Sequence, residues 1–461
     1  MINNSYKRYT VILYLLILMV SCTKLDYKPT DFIDPDKAFR NLSDINLGLN
    51  GAYALINTDI MINNSMVSDE VNLPTENTVS NTDTHRWLYT GSNGSVTGLY
   101  TAYYQAIDRV NRTIAGLDLL TLTGADIATA NNYKGQLLAL RAFFHFELLR
   151  AYAASYQSGS LGVTYLKSPS FEFLARDKFE TTIEGAKSDL IAAKALLPAT
   201  ADDNSRITRT AVSAIQARLA LYEKNWADAI TYSTEVITAL PLADITEFPS
   251  IWTDESETEV VWKAKRVPTD DRTGAVYFRQ DVERVLYAPS FKLINSFDQL
   301  NDIRYAAYVQ FDATRIGTKS KYLVHKYAGP ADSPGQADLK LFRTGEMYLI
   351  RAEAKAESAG DAAADLNILR AARITGYTNA TFANKTALID AIYAERFKEL
   401  AFEGHRFFDL KRRNLPVERL AIDAVNTSGA VTLLPAAAQY AFPLPAQELA
   451  INKNAVQNPN Y

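Results

Sequence analysis

Apolar positions recur at helical spacing through two long blocks of this chain. In the first, from about Ala38 to Leu240, Ile45, Leu49, Ala52 and Tyr53 make an i, i+4, i+7, i+8 stripe, and Tyr100 to Leu120 continues in the same style. Leu137, Leu140, Phe144, Leu148 and Tyr152 line one face of a helix predicted over Tyr133 to Tyr156. Arg141 lies beside that stripe, and a guanidinium in an apolar setting requires a buried acidic partner.

Thr210 to Leu240 reads as a helical hairpin, with a turn at Glu223-Lys224-Asn225 and a second helix opening at Trp226. Ala214, Ala217 and Ala220 allow close approach, and Ala229 packs back from the second helix. This is similar to a tetratricopeptide unit, a helix–turn–helix of about 34 residues. A comparable hairpin spans Leu349 to Ala372, turning at Ser358 to Asp361, and Leu137 to Tyr152 reads as half of a third. The units are irregularly spaced. The pattern therefore predicts a mainly α fold with tetratricopeptide-like hairpins set into a larger body.

Two stretches interrupt the helical pattern. Met61 to Gly98 is rich in Asn, Ser, Thr and Gly. Pro241 to Gly335 mixes short β-like runs, Glu259 to Lys263 and Ala275 to Arg279, with Pro and Gly turns. Long irregular segments within a compact fold usually carry function, so a binding site is expected there.

The N-terminus has its own signature. Lys7 and Arg8 precede a ten-residue apolar run, Val11 to Val20, followed at once by Ser21 and Cys22. Ten residues are too few to span a bilayer, which needs about 20. They fit a secretory leader. Small Ser21 before the sole cysteine points to lipoprotein cleavage, with acylation of Cys22 and no other thiol to pair it. Several acyl chains there would give a stable membrane anchor. Thr23 to Pro35, with two prolines and mixed charge, reads as an extended tether.

Composition narrows the chemistry. The 461 residues carry 48 Lys+Arg and 52 Asp+Glu, a mildly acidic balance that disfavours nucleic-acid binding. One Cys and four His exclude cysteine-rich zinc modules and disulfide frameworks. His85, His145, His325 and His405 lack metal-type spacing, and no phosphate-binding Gly loop, HExxH or GxSxG sequence is present, so neither metal nor cofactor is expected. Asp69-Glu70 is the best local candidate for a glycosidase carboxylate pair, although a solvated loop pair or an ion or ligand contact is the simpler account of it.

The C-terminal third carries the longest motif, Ala394 to Leu410, reading AERFKELAFEGHRFFDL. Ile389, Ile392, Tyr393, Arg396 and Leu400 share a helix face. Glu399 lies i+3 from Arg396, Arg406 i+3 from Glu403 and Asp409 i+3 from Arg406, spacings suited to a local charge lattice, and Gly404 suits a left-handed stop. This segment resembles the ER-x-x-EL-x-FEG-x-R-x-x-DL motif of the SusD/RagB family of outer-membrane nutrient-binding lipoproteins. Leu140 to Leu148, Phe342 to Ala354, and Phe442 through Tyr461 match other family segments in order, with Asn460 standing where Gly is usual.

The resemblance implies a SusD-like α–α superhelix with irregular loop and short β insertions, and no catalysis. It divides the chain into a leader (1–21), lipidated Cys22 and tether (22–37), an N-terminal helical region (38–240) with a ligand loop at about 61–98, an irregular ligand-binding insertion (241–335), and a C-terminal helical region (336–461). It implies a surface lipoprotein of the outer membrane that captures oligosaccharides for a SusC-like TonB-dependent transporter, with the helical repeats packed against that transporter. The same scaffold binding peptides or another nutrient, or a lipid-anchored glycoside hydrolase, are the alternatives.

Sugars are held by flat aromatic faces and a few fixed polar groups. The first irregular segment offers Asp69, Asn81, His85, Arg86, Trp87 and Tyr89, and the second offers Trp252, Trp262, Tyr277, Arg279 and Tyr287. Trp87, beside His85 and Arg86, is the foremost candidate, and its replacement by Ala is expected to weaken capture while sparing the fold. Trp262 suits a strand core and a ligand face equally.

Overall fold

The computed structural model describes residues 38–461 apart from 79, 202 and 359, so the leader, Cys22 and the tether lie outside the described residues. Helices dominate: α1 (Leu42–Tyr53), α2 (Asp59–Val67), α3 (Gly94–Asp118), α4 (Asp126–Tyr152), α5 (Phe179–Leu196), α6 (Arg209–Glu223), α7 (Trp226–Ala239), α8 (Thr344–Glu357), α9 (Ala363–Ala371), α10 (Lys385–Glu399) and α11 (Arg406–Arg412). They stack in chain order. Helix α4 lies against both α3 and α5, α5 meets α6, and α8 packs on α7 across the intervening insertion.

Each hairpin forms where its sequence pattern places it. The Thr208 hydroxyl caps α6 by accepting from the Ala211 amide at 3.1 Å. Lys224 turns the chain at φ +60°, and Asn225 caps α7 through the Asp228 amide. Ala214, Ala217 and Ala229 are fully buried between the two helices, as close approach requires. Arg141 finds its acid: Nε and Nη2 donate to the two oxygens of Asp189 at 2.6 and 2.7 Å. Removing either partner of such a buried pair costs about 3–5 kcal/mol.

One continuous core runs through most of the chain, and a smaller one, built on Leu349, Leu366, Leu369, Ile389 and Ile392, joins α8, α9 and α10. The strands are short and pair two at a time. Strands β1 (Val71–Asn72) and β3 (Ala288–Pro289) join antiparallel, as do β2 (Val260–Ala264) and β6 (Leu339–Arg343), and β4 (Val309–Phe311) and β5 (Tyr322–Val324).

Two expectations about the insertions need correction. Residues 61–67 are helical, not irregular. Their polar side chains are buried and bonded inward, since Asn64 Oδ1 accepts from the Phe407 amide at 3.1 Å and the Ser65 hydroxyl reaches Tyr277 at 2.9 Å. Of the second β-like run only Phe278–Arg279 is a strand, because Thr273–Val276 tightens into a 3-10 turn.

Candidate ligand cleft and the family of the chain

Most of the aromatic residues proposed from sequence lie in the core. Trp87 sits at φ +57° with its indole N–H donating to the Val67 carbonyl at 2.9 Å and the Arg419 guanidinium stacked 4.1 Å over its ring. Trp252 stands edge-on to Tyr308 and Tyr327, and Trp262 edge-on to Phe143. Tyr89 donates to the Gln439 carbonyl, and Tyr287 to the Ser80 carbonyl at 2.7 Å. All of these rings, with Tyr277, are buried. Their faces are occupied by protein, so the expectation that they form the ligand surface is corrected.

The polar candidates divide. His85 is buried, and its Nδ1–H donates to the Met66 carbonyl at 2.8 Å. Burial, with Arg419 nearby, holds its pKa well below the ordinary histidine value, so the ring is neutral. Asp69 is buried against Arg406 and Lys292. Glu70 beside it is also buried and accepts from the Ser65 hydroxyl. The two carboxylates therefore make no accessible pair of the glycosidase kind. Arg86 is half-buried and donates to the Asn426 carbonyl, Asn81 is exposed at φ +53°, and Arg279 is exposed and paired with Asp281. Among the described residues no three His, Cys, Asp or Glu converge as metal ligands.

A surface cleft of about 410 Å³ opens elsewhere in the same two insertions. One wall comes from the first, at Asn72 to Thr75 from the end of β1 onward, and another from the second, on the β4–β5 hairpin. Register sets the hairpin's contribution: Phe311 lies opposite Tyr322, with ring centroids 5.0 Å apart. Phe291 meets Tyr322 edge-on at 5.7 Å. Phe311 remains 53% exposed, and Ile422 and Val425 on the facing side are 55% and 73% exposed. An apolar surface with flat rings is thus left open to solvent, beside the amides of Asn72 and Asn426.

None of the cleft's rings was singled out from sequence. The available signal was Phe311 in a polar hairpin, Gln310 to Lys321, where nothing nearby could bury it. A larger groove, about 1300 Å³, runs along α3 and is lined by Tyr104, Phe171 and Ile451. Ala38 and Phe39, the first described residues, line its rim, so it adjoins chain outside the described residues and no ligand is assigned to it.

These features define a class: a helical scaffold with tetratricopeptide-like hairpins that carries a loop-built aromatic cleft. The particular family follows from comparison. Residues 299–461 match the SusD family, and residues 25–221 match a SusD-like family described as starch-binding and associating with the outer membrane. The chain belongs to the SusD-like family. It is 23% identical to SusD-like protein P2 of Formosa agariphila over 516 aligned positions, covering 99% of this chain and 100% of that one. A SusD superfamily structure from Bacteroides thetaiotaomicron superposes with a TM-score of 0.81 at 22% identity, covering 91% of this chain and 100% of that one. A putative sugar-binding protein from Bacteroides vulgatus superposes at 0.79 and 22% identity, covering 92% and 99%. The mainly helical architecture is that of these structures.

Proposed function

We propose that this protein captures oligosaccharides at the outer surface of the outer membrane and passes them to a SusC-like TonB-dependent transporter. The observation that carries the reading is the exposed Phe311 ring, backed by half-buried Tyr322, in a cleft assembled from both insertions. A flat ring left in water offers its face to the C–H patches of a sugar ring, and Asn72 and Asn426, whose amide nitrogens donate to the Pro289 and Leu73 carbonyls at 3.1 and 2.9 Å, offer their side-chain oxygens to hydroxyls. Family membership and the outer-membrane description of the matched family support the placement. Acylation of Cys22 would supply the anchor. The protein acts as a binding module in this reading, with Asp69 clamped by Arg406 and Lys292 as a structural group and Glu70 buried beside it.

Native gels cast with individual polysaccharides test the reading. Wild-type protein is expected to be retarded by at least one glycan, and Phe311→Ala to relieve that retardation severalfold. Retardation by a glycan that is unchanged in the variant would place the ligand elsewhere. Mass spectrometry of the mature N-terminus, with an unacylated Cys22, would remove the anchor.

A further inference from the structure

The cleft has a charge character that a neutral-sugar site does not need. Lys319 and Lys321 both line it, both are exposed, and neither ammonium has a carboxylate partner among the described residues. They are two residues apart in the bend that leads into β5, and both border the cleft. Ser320, between them, is fixed through its backbone. Its amide donates to Glu76 Oε1 at 2.9 Å, and its carbonyl accepts from Arg315 Nε at 2.6 Å. The Thr75 hydroxyl donates to the Thr318 carbonyl at 2.9 Å, and the Asp312 amide to the Lys321 carbonyl at 2.8 Å. The backbone under both lysines is therefore fixed relative to the aromatic wall.

The opposing charge is masked. Asp423 is the one carboxylate among the described residues lining the cleft. It is buried, and its two oxygens accept the Phe291 and Lys292 amides at 2.7 and 3.1 Å. Glu76, just behind the hairpin, is paired with Arg315 at 2.8 Å. Two uncompensated ammonium groups thus stand over an apolar floor on a protein whose overall charge is negative.

We infer that the cleft selects anionic oligosaccharides, those bearing carboxylate or sulfate groups, over neutral ones. This rests on the reading of the cleft as the glycan site. The sugar ring stacks on Phe311 while its acidic substituent meets Lys319 and Lys321. Exposed pairs of this kind are modest, so the two together amount to roughly three- to thirtyfold in affinity, and salt weakens them.

The test uses affinity gels and calorimetry with polygalacturonate, its fully methyl-esterified form, a sulfated galactan and neutral starch, at low and high ionic strength. Stronger binding of either acidic polymer, suppressed by salt and lost in Lys319→Gln/Lys321→Gln, is the expected result. Carboxylate and sulfate are told apart by which acidic polymer binds. Equal binding of the esterified and free polymers, with no sulfate preference, overturns the inference and leaves glycan capture standing. An acidic preference that survives in the double variant also overturns it. Binding of none of the four polymers removes the inference together with the glycan reading on which it rests.

Discussion

Asp69 and Arg406 form a buried two-pronged pair, Nε to Oδ1 at 2.7 Å and Nη2 to Oδ2 at 2.8 Å, across 337 residues of chain. Lys292 completes the arrangement, donating to Asp69 Oδ2 at 2.8 Å. The arginine belongs to the C-terminal motif, the aspartate follows α2, and the lysine comes from the second insertion. One carboxylate thus ties three distant parts of the chain together behind the cleft. Other motif charges act likewise. Glu399 receives Arg304, Arg343 and Arg373, and Glu403 receives Lys326 and Arg343. The motif is a clamp between regions.

Asp69→Ala should therefore destabilise strongly, because it leaves two cations buried without a partner. A loss of about 3–5 kcal/mol in urea unfolding is expected. Burial by itself would raise the Asp69 pKa, but Arg406 and Lys292 outweigh it and hold it at about 2, below the ordinary 3.8. A depressed folded pKa contributes stability above pH 3.8 that is lost as pH falls through about 2. That contribution, about 2 kcal/mol, should be missing from the acid-unfolding curve of Asp69→Asn. Parallel wild-type and Asn curves between pH 5 and pH 2 would show that Asp69 is not ionised in this clamp.

Trp87→Ala should act on stability and not on capture. The ring is packed beneath Arg419 and bonded to Val67, so truncation leaves a cavity worth about 3–5 kcal/mol. Glycan affinity measured well below the melting temperature should match wild type. A variant that kept its thermal midpoint but lost affinity would return Trp87 to the ligand site.

Periodicity made the scaffold legible. The alanines at Ala214, Ala217 and Ala229 marked a close helix pair, and Arg141 announced a buried acid before Asp189 was known to supply it. The motif's charges were misread for a physical reason. Spacing along one helix reveals only neighbours at i+3 and i+4, whereas Arg396 bonds to Asp409 thirteen residues on and Arg343 to Glu399 across 56. The aromatic candidates failed similarly. Composition says that Trp252 and Trp262 lie in an irregular segment, but not which way a ring faces once the segment folds back on the helices. Phe311 reached solvent because β4 pairs only with β5, a register that no local pattern announces.

Gly404 carries a conformational requirement that is testable alone. It follows the last turns after α10 at φ +81°, and an added Cβ would meet the Ile60 carbonyl oxygen at 2.8 Å. Both the left-handed backbone and the contact with rigid backbone oppose a side chain. Gly404→Ala should lower stability by about 1–3 kcal/mol. A midpoint unchanged in thermal unfolding would mean that the chain after α10 can shift away from α2.

Glu70 should make stability depend on pH near neutrality. It is fully buried, and burial pushes its pKa up from 4.5 to about 7, with only part of the rise offset by the Ser65 hydroxyl and the Phe402 amide. Its Oε2 accepts no well-formed hydrogen bond among the described residues. A raised folded pKa gives stability that is fully present below pH 4.5 and is lost as pH rises through about 7. The full effect is up to about 3 kcal/mol. Glu70→Gln keeps the shape and the Ser65 contact but cannot ionise. The variant should match wild type closely at pH 5 and be the more stable of the two at pH 8. Comparing the two proteins removes titrating groups that do not interact with Glu70, among them Lys411, whose pKa burial lowers to about 7. Urea midpoints at both pH values decide it: a difference between the proteins that does not change with pH would mean that Glu70 is already ionised in the fold at pH 5.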